Sequence, residues 1–288
     1  MLVADRQRHE PASTSQSRPL SAAEHVRAWL FGPLSAIRFL TILPLAPRRP
    51  TRAHELGPAE ACFPLAGLLV GSILLGADRL LTGVASGMVR DVVLVATAAA
   101  VTGALHLDGV VDTFDAVFAP GGPARRLDIL HDPRAGSFGV VAVVLLLGLK
   151  LAALGSLPAD LRGTALVLGP CFGRWAIVTV TFTFPYARPE GSGRAFKDAV
   201  RPIHVAVAGL IVGLAALLAA GWAGLALAAL ATVLALLVGR WCAGRLGGLT
   251  GDTYGASCEL VEMTTWLILG LHLAGVQLAS SWPGGMFG

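Results

Sequence analysis

Beyond residue 60 the chain alternates long apolar runs with short polar connections. Seven runs reach the roughly 20 mostly apolar residues that a helix needs to cross a bilayer. They lie at residues 61–78, 90–107, 138–157, 163–184, 203–220, 222–240 and 263–281. Ahead of them, AWLFGPLSAIRFLTILPLA (28–46) is apolar but interrupted by Pro33, Arg38 and Pro44. That pattern predicts a helix lying in the membrane interface rather than a full span. Residues 1–26 are polar and lack the continuous apolar core of a secretory signal, so a disordered cytoplasmic tail is expected. The fold expected is an all-α, polytopic integral membrane helical bundle. It has about seven transmembrane helices, an N-terminal interfacial helix, and one membrane-embedded domain over residues 27–288.

Composition strengthens this picture. Of 288 residues, 55% are hydrophobic and 14% charged, with a mean hydropathy of +0.70, whereas soluble domains carry about 25% charged residues. The net charge is +4 and the basic residues are scattered, without an aromatic-interleaved basic patch, so nucleic acid is a poor partner. With the N-terminus placed in the cytoplasm, 17 of the 22 Lys and Arg fall on the cytoplasmic side and 3 on the other; Lys150 and Arg174 lie within spans. That asymmetry sets the orientation. Cys62, Cys171, Cys242 and Cys258 are far apart, form no CxxC pair, and read as small buried hydrophobes.

At the end of the second run, HLDGVVDTFDA (106–116) sets Asp108, Asp112 and Asp115 at i, i+4, i+7. If the helix continues, one face carries all three carboxylates. His106 falls off that face. A second acidic group, Asp252, Glu259 and Glu262, is spaced i, i+7, i+10 within GLTGDTYGASCELVE (248–262). Ionisable residues at the membrane edge are costly, and two acidic faces at the same side of the bilayer point to a shared site. Hard oxygen ligands of this kind suit Mg²⁺ or Mn²⁺, completed by water and substrate phosphate. A pair of such ions can clamp the attacking and leaving oxygens of a phosphoryl transfer.

Between these groups lies RRLDILHDPRAGSFG (125–139). Its Arg125, Arg126 and Arg134 suit anionic phosphates, and Asp128 and Asp132 suit either metal or arginine. A solvated loop fits the spacing equally well. Gly136 and Gly139 leave the backbone open to close approach. Lys150 and Arg174 interrupt apolar spans, where a cation usually pairs with an acid or a ligand; for Lys150, snorkelling to the far interface is the alternative. YARPEGSGR (186–194), with Arg188, reads as a phosphate cover or as a plain connector.

The combination TGALHLDGVVDTFDA (102–116), RRLDILHDPRAGSFG (125–139) and LGGLTGDTYGASCELVE (246–262) resembles the cobalamin-5′-phosphate synthases, or adenosylcobinamide-GDP ribazoletransferases. RFLTILP (38–44), FPLAGLLVG (63–71) and YARPEGSG (186–193) extend the likeness over nearly the whole chain after residue 30. The resemblance implies a Mg²⁺-dependent enzyme of the bacterial inner membrane, with N-terminus and active site cytoplasmic. It would join α-ribazole, or its 5′-phosphate, to adenosylcobinamide-GDP and release GMP. By position it implies Asp108, Asp112, Asp115 and Asp252 as metal ligands and catalytic groups, with His106 beside them. Arg126, Asp132, Arg134, Gly136, Arg174, Arg188, Glu259 and Glu262 then fall to the substrates. His106 and His131 are the candidates for general base. Oligomeric state is not legible.

Two rivals remain at this stage. A CDP-alcohol phosphotransferase would require an Ala-Arg pair after Asp-Gly, where this chain has Val110-Val111-Asp112-Thr113. A cation-coupled transporter would show two related halves with broken helices, and none is visible.

Overall fold

A computed structural model describes residues 21–45 and 51–271. Residues 1–20 of the expected tail and residues 272–281 of the expected last span lie outside them. Among the described residues the chain forms eleven helices and no strand. Four of these are long and apolar enough to cross a membrane: α3 (Phe63–Leu81), α7 (Ser137–Ser156), α8 (Ala159–Thr183) and α10 (Pro202–Leu246). The bent pair α4 (Gly87–Thr102) and α5 (Leu105–Phe118) makes a fifth if it counts as one span.

The entry helix α1 (Ala22–Leu40) starts earlier than expected, so residues 22–26 belong to it rather than to the tail. The cause is local: Ser21 and Glu24 close a capping box across the first turn. A short α2 (Ala53–Ala61) then leads into α3 through Cys62 and Pro64.

Two expected continuous or neighbouring spans differ in an instructive way. The run 90–107 does not continue straight into the aspartates. Gly103 (φ 61°) and Ala104 (φ 57°) are both left-handed, and α5 leaves α4 at 91°. The left-handed region is costly for alanine, so the turn is held by its surroundings, including Ala104 N–H donating to Ala99 O at 2.8 Å. The runs 203–220 and 222–240 are one element, α10, interrupted at Ala220 and Gly221 by non-helical torsions. Gly224 packs on the backbone of Ala216. Eight residues of straight helix would hold those positions about 12 Å apart, so the two limbs fold back on each other.

Near the centre of the bundle is α8, flanked by α3, α10 and α11 (Gly251–Gly270). Buried Leu168, Phe172, Ala176 and Val180 on α8 meet Phe63 and Ala66 of α3 in the largest apolar cluster. The last helix begins at residue 251, well before the expected 263, because Thr250 caps it through the Thr253 N–H. All four cysteines are free and buried.

Candidate active site at the crossing of α5 and α11

The acidic helices meet where their side chains are smallest. A Cβ on Gly109 of α5 would stand 2.6 Å from the Asp252 carbonyl oxygen, and one on Gly255 of α11 3.2 Å from His106 Cα. Glycine at both positions lets the backbones touch, and that contact brings Asp252 alongside Asp108. Asp112 lies within electrostatic reach of Asp108, Asp252 and Asp115, and among the described residues Arg188 is the charge that opposes them. Arg188 Nη1 is 3.9 Å from Asp252 Oδ2.

A tertiary bridge, not local sequence, puts Arg188 there. Ala187 N–H donates to Leu249 O, and Leu249 N–H donates to Pro185 O, both at 2.8 Å. The start of the loop 186–194 is thus pinned beside the N-terminus of α11.

Asp115 has a different occupation from its two neighbours. Its carboxylate accepts the N–H of Gly136 at 2.7 Å and of Gly139 at 2.8 Å, and it is buried. These are the unsatisfied donors at the start of α7, so Asp115 caps that helix from a distance. A Cβ at either glycine would collide with the carboxylate, which gives Gly136 and Gly139 a structural reason beside the substrate role expected of Gly136.

Glu259 and Glu262 turn the other way, into the bundle. Lys150 Nζ donates to Glu259 and, at 2.9 Å, to Glu262; Arg174 Nη1 donates to Glu262 at 2.6 Å. All four side chains are buried. Lys150 therefore does not snorkel: it reaches an acid pair on another helix. The expected convergence of two acidic faces is met by Asp252 alone; the glutamates belong to an ion-pair core beneath it.

His106 proves closer to the site than its helical position indicated. With Asp108, Asp252 and Tyr254 it lines a cavity of about 120 Å³ walled by Phe39, Phe63 and Phe196. The bend before α5 and the Gly255 contact carry it there. Arg174 Nη2 stands 3.4 Å from its Nδ1, and its Nε2 has no hydrogen-bond partner among the described residues.

The remaining candidates are more peripheral. Arg126 bonds the Ala119 and Arg245 carbonyls at 3.1 Å, tying α6 (Pro123–Ile129) to the end of α10. Arg134 forks onto Asp132 on the exposed loop at 2.9 and 2.8 Å. That guanidinium holds the Asp132 carboxyl down at about 2. His131 is exposed, its Nδ1 3.1 Å from Leu127 O.

Several residues escaped the sequence reading. Glu60, three positions before the Phe63 that opens the FPLAG segment, is fully buried with no hydrogen bond to either carboxyl oxygen among the described residues. An acid embedded in an apolar run was the signal available for it. At the opposite end of the bundle Arg162 donates to Asp78 at 2.8 Å and to Asp91, with Arg90 3.4 Å from Asp78. Nothing in their spacing joins those four.

Fold and site together define a class: a helical membrane protein whose carboxylates gather, largely uncompensated, at one end of the bundle beside an arginine and an aromatic cavity. The chain belongs to the cobalamin-5-phosphate synthase family, whose model matches residues 32–270. Curated relatives named adenosylcobinamide-GDP ribazoletransferase include that of Roseiflexus sp. (strain RS-1), 40% identical over 90% of this chain and 95% of its own. The protein from Ectopseudomonas mendocina is 42% identical over 85% of this chain and 100% of its own. That from Desulforamulus reducens is 38% identical over 84% and 96%. No solved structure matches.

Proposed function

We propose that this protein joins α-ribazole, or its 5′-phosphate, to adenosylcobinamide-GDP at the α5–α11 crossing and releases GMP. The observation that carries the reading is the convergence of Asp108, Asp112 and Asp252, with Arg188 facing them, in a chain of this family. A ribose hydroxyl of the acceptor attacks the phosphorus bonded to cobinamide and loses its proton to solvent. The new O–P bond forms as the bridging P–O bond of the pyrophosphate breaks, and GMP departs with that oxygen and its electron pair.

The donor set fits a hard divalent cation, Mg²⁺ or Mn²⁺. Among the described residues no group of three or more His, Cys, Asp or Glu is placed to hold a metal ion by itself. Mg²⁺ is usually held by one or two carboxylates plus waters and substrate phosphate, so in this reading one or two of Asp108, Asp112 and Asp252 would hold the ion together with the substrate pyrophosphate. When bound, the ion would neutralise charge on the pyrophosphate. Asp115 keeps α7 against α5 and so positions Asp112. Arg188 reaches the same space and can meet a phosphate oxygen.

A guanidinium has no acceptor, so His106 Nδ1, 3.4 Å from Arg174 Nη2, carries the lone pair and Nε2 carries the proton; the buried ring lines the site beside Asp108.

The excess of Lys and Arg on the connections flanking this site supports a cytoplasmic active site in the inner membrane. Purified full-length protein in nanodiscs, given both substrates and Mg²⁺, tests the assignment through GMP release. Turnover is expected to vanish with chelator and to return with Mg²⁺. Wild-type rates from Asp112→Asn would refute the ligand set.

A further inference from the structure

Arg188 reaches the carboxylates from YARPEGSGR (186–194), a segment of irregular backbone until α9 (Ser192–Ala199) begins. A long side chain on such backbone is a poor anchor unless something else fixes it, since ordering it costs rotamer and backbone freedom. The fixing starts at Tyr186. This residue pairs with Leu249 in a parallel bridge, whose two 2.8 Å bonds come from the flanking Ala187 N–H and go to the Pro185 carbonyl. Gly248 makes the bridge possible: a Cβ there would stand 2.8 Å from Ala187 N and 2.9 Å from Pro185 O.

Beyond the bridge the chain curls back over Tyr186. A Cβ on Gly191 would stand 2.7 Å from the Tyr186 hydroxyl oxygen. One on Gly193 would stand 2.8 Å from the edge of the same ring and 3.1 Å from the ring of Tyr254. Gly191 also has φ 132°, which strains any other residue. The N–H groups of Arg194 and of Gly251, at the start of α11, lie by the Tyr186 hydroxyl. One half-buried ring thus sits under two glycines and beside two helix starts, with the Tyr254 ring 6.1 Å away. Arg188 lies on the arc between the bridge and those glycines. Its Nη2 reaches the Leu127 carbonyl only at 3.5 Å, and its Nη1 stops 3.9 Å from Asp252. Neither contact is a strong hydrogen bond, so the path of the backbone is what places the guanidinium.

We propose that Tyr186 is a positioning residue for Arg188: its ring is the post around which residues 187–193 fold, and that fold holds the guanidinium where a pyrophosphate meets Asp108, Asp112 and Asp252. The inference rests on the reading of the α5–α11 crossing as the active site. A cation set in place during folding binds a phosphate more tightly than one that must be ordered when the ligand arrives. α-Ribazole has no phosphate and gives Arg188 nothing to bind. The post therefore acts on one substrate, adenosylcobinamide-GDP, and leaves the other alone.

The test follows GMP release by the full-length protein in nanodiscs, with α-ribazole as acceptor, and compares Tyr186→Ala, Arg188→Ala and the double variant. Each single change is expected to raise KM for adenosylcobinamide-GDP on the order of tenfold, the worth of one hydrogen bond to a charged group. KM for α-ribazole should stay unchanged. The double variant should be no worse than Arg188→Ala, because the post then has nothing left to position. Tyr186→Phe keeps the ring and should recover most of the loss. Gly193→Ala crowds that ring and should reproduce the Tyr186→Ala effect; it carries the comparison if Tyr186→Ala lowers the unfolding midpoint. An unchanged KM for adenosylcobinamide-GDP in both Tyr186→Ala and Gly193→Ala overturns the proposal, as do losses that multiply in the double variant. Equal impairment of Tyr186→Phe and Tyr186→Ala also overturns it, by putting the hydroxyl on the substrate. Amide exchange over residues 187–193 reads the loop without turnover. It should quicken in Tyr186→Ala and not in Arg188→Ala, and equal exchange in wild type and Tyr186→Ala overturns the post. Wild-type turnover by Asp112→Asn, with an unaltered KM in Arg188→Ala, would sink the active-site reading and leave the exchange measurement to decide.

Discussion

Along α11, Asp252 sits at the open end of the helix with Arg188 3.9 Å away. Glu259 and Glu262, two to three turns further on, are sealed against Lys150 and Arg174. The same division runs through α5, where Asp115 is occupied by two backbone N–H groups while Asp108 and Asp112 are not. Desolvation explains it. Deep in the bundle an unpaired carboxylate is costly, and Glu259, Glu262 and Asp115 each have a cation or a set of donors. At the open end of the bundle, water can solvate the charge. Acids that look alike in sequence thus divide into those that hold helices together and those left available for chemistry.

The sharpest way to break this distinction is at Lys150. Lys150→Met leaves Glu259 and Glu262 with Arg174 as their one cation, and a loss of about 3–5 kcal/mol in stability is expected. Denaturant unfolding in detergent measures it; an unchanged midpoint would mean that the glutamates are not structural. Asp252→Asn should do the reverse. GMP release should fall on the order of 10²–10³-fold, from the several kcal/mol that a bound cation supplies to such a reaction. The unfolding midpoint should not fall, because a like charge has been removed.

Asp115→Ala tests the intermediate case. Loss of a helix cap is expected to cost about 1 kcal/mol, read as earlier melting, with earlier hydrogen exchange at Gly136 and Gly139. The smallest effect is expected on the exposed loop. Because the Asp132 carboxyl is held at about 2 by Arg134, its pairing contributes at every pH above the unfolded value near ~4. That contribution is lost only as pH falls from there through the folded value. Asp132→Asn should therefore leave the pH dependence of stability unchanged between about pH 5 and pH 9, and alter it only in acid. A change near neutral pH would mean that Asp132 senses more than Arg134.

Much of this architecture is legible in one dimension because lipid imposes it. The apolar runs predict α3, α7 and α8 to within a few residues, and the pair at 203–220 and 222–240 divides where Ala220 and Gly221 break the helix. What escaped is what depends on contacts between distant elements. The 91° turn at Gly103-Ala104 is closed by the local Ala104 N–H to Ala99 O bond and flanked by a distant one, Ile42 N–H to Val101 O at 2.9 Å, while alanine has no intrinsic preference for that torsion. His106 falls off the aspartate face by helical periodicity, yet the turn and the Gly255 contact place it in the cavity.

Hydropathy along the chain is enough to mark a helical membrane protein, and its motifs are enough to mark the family. Hydropathy and charge asymmetry act on each segment separately, so no folding is needed to read them. Which acids are free, and which glycines serve a crossing and which serve a carboxylate, were decided only by the tertiary structure. Those properties belong to pairs of atoms far apart in the chain, brought together by packing.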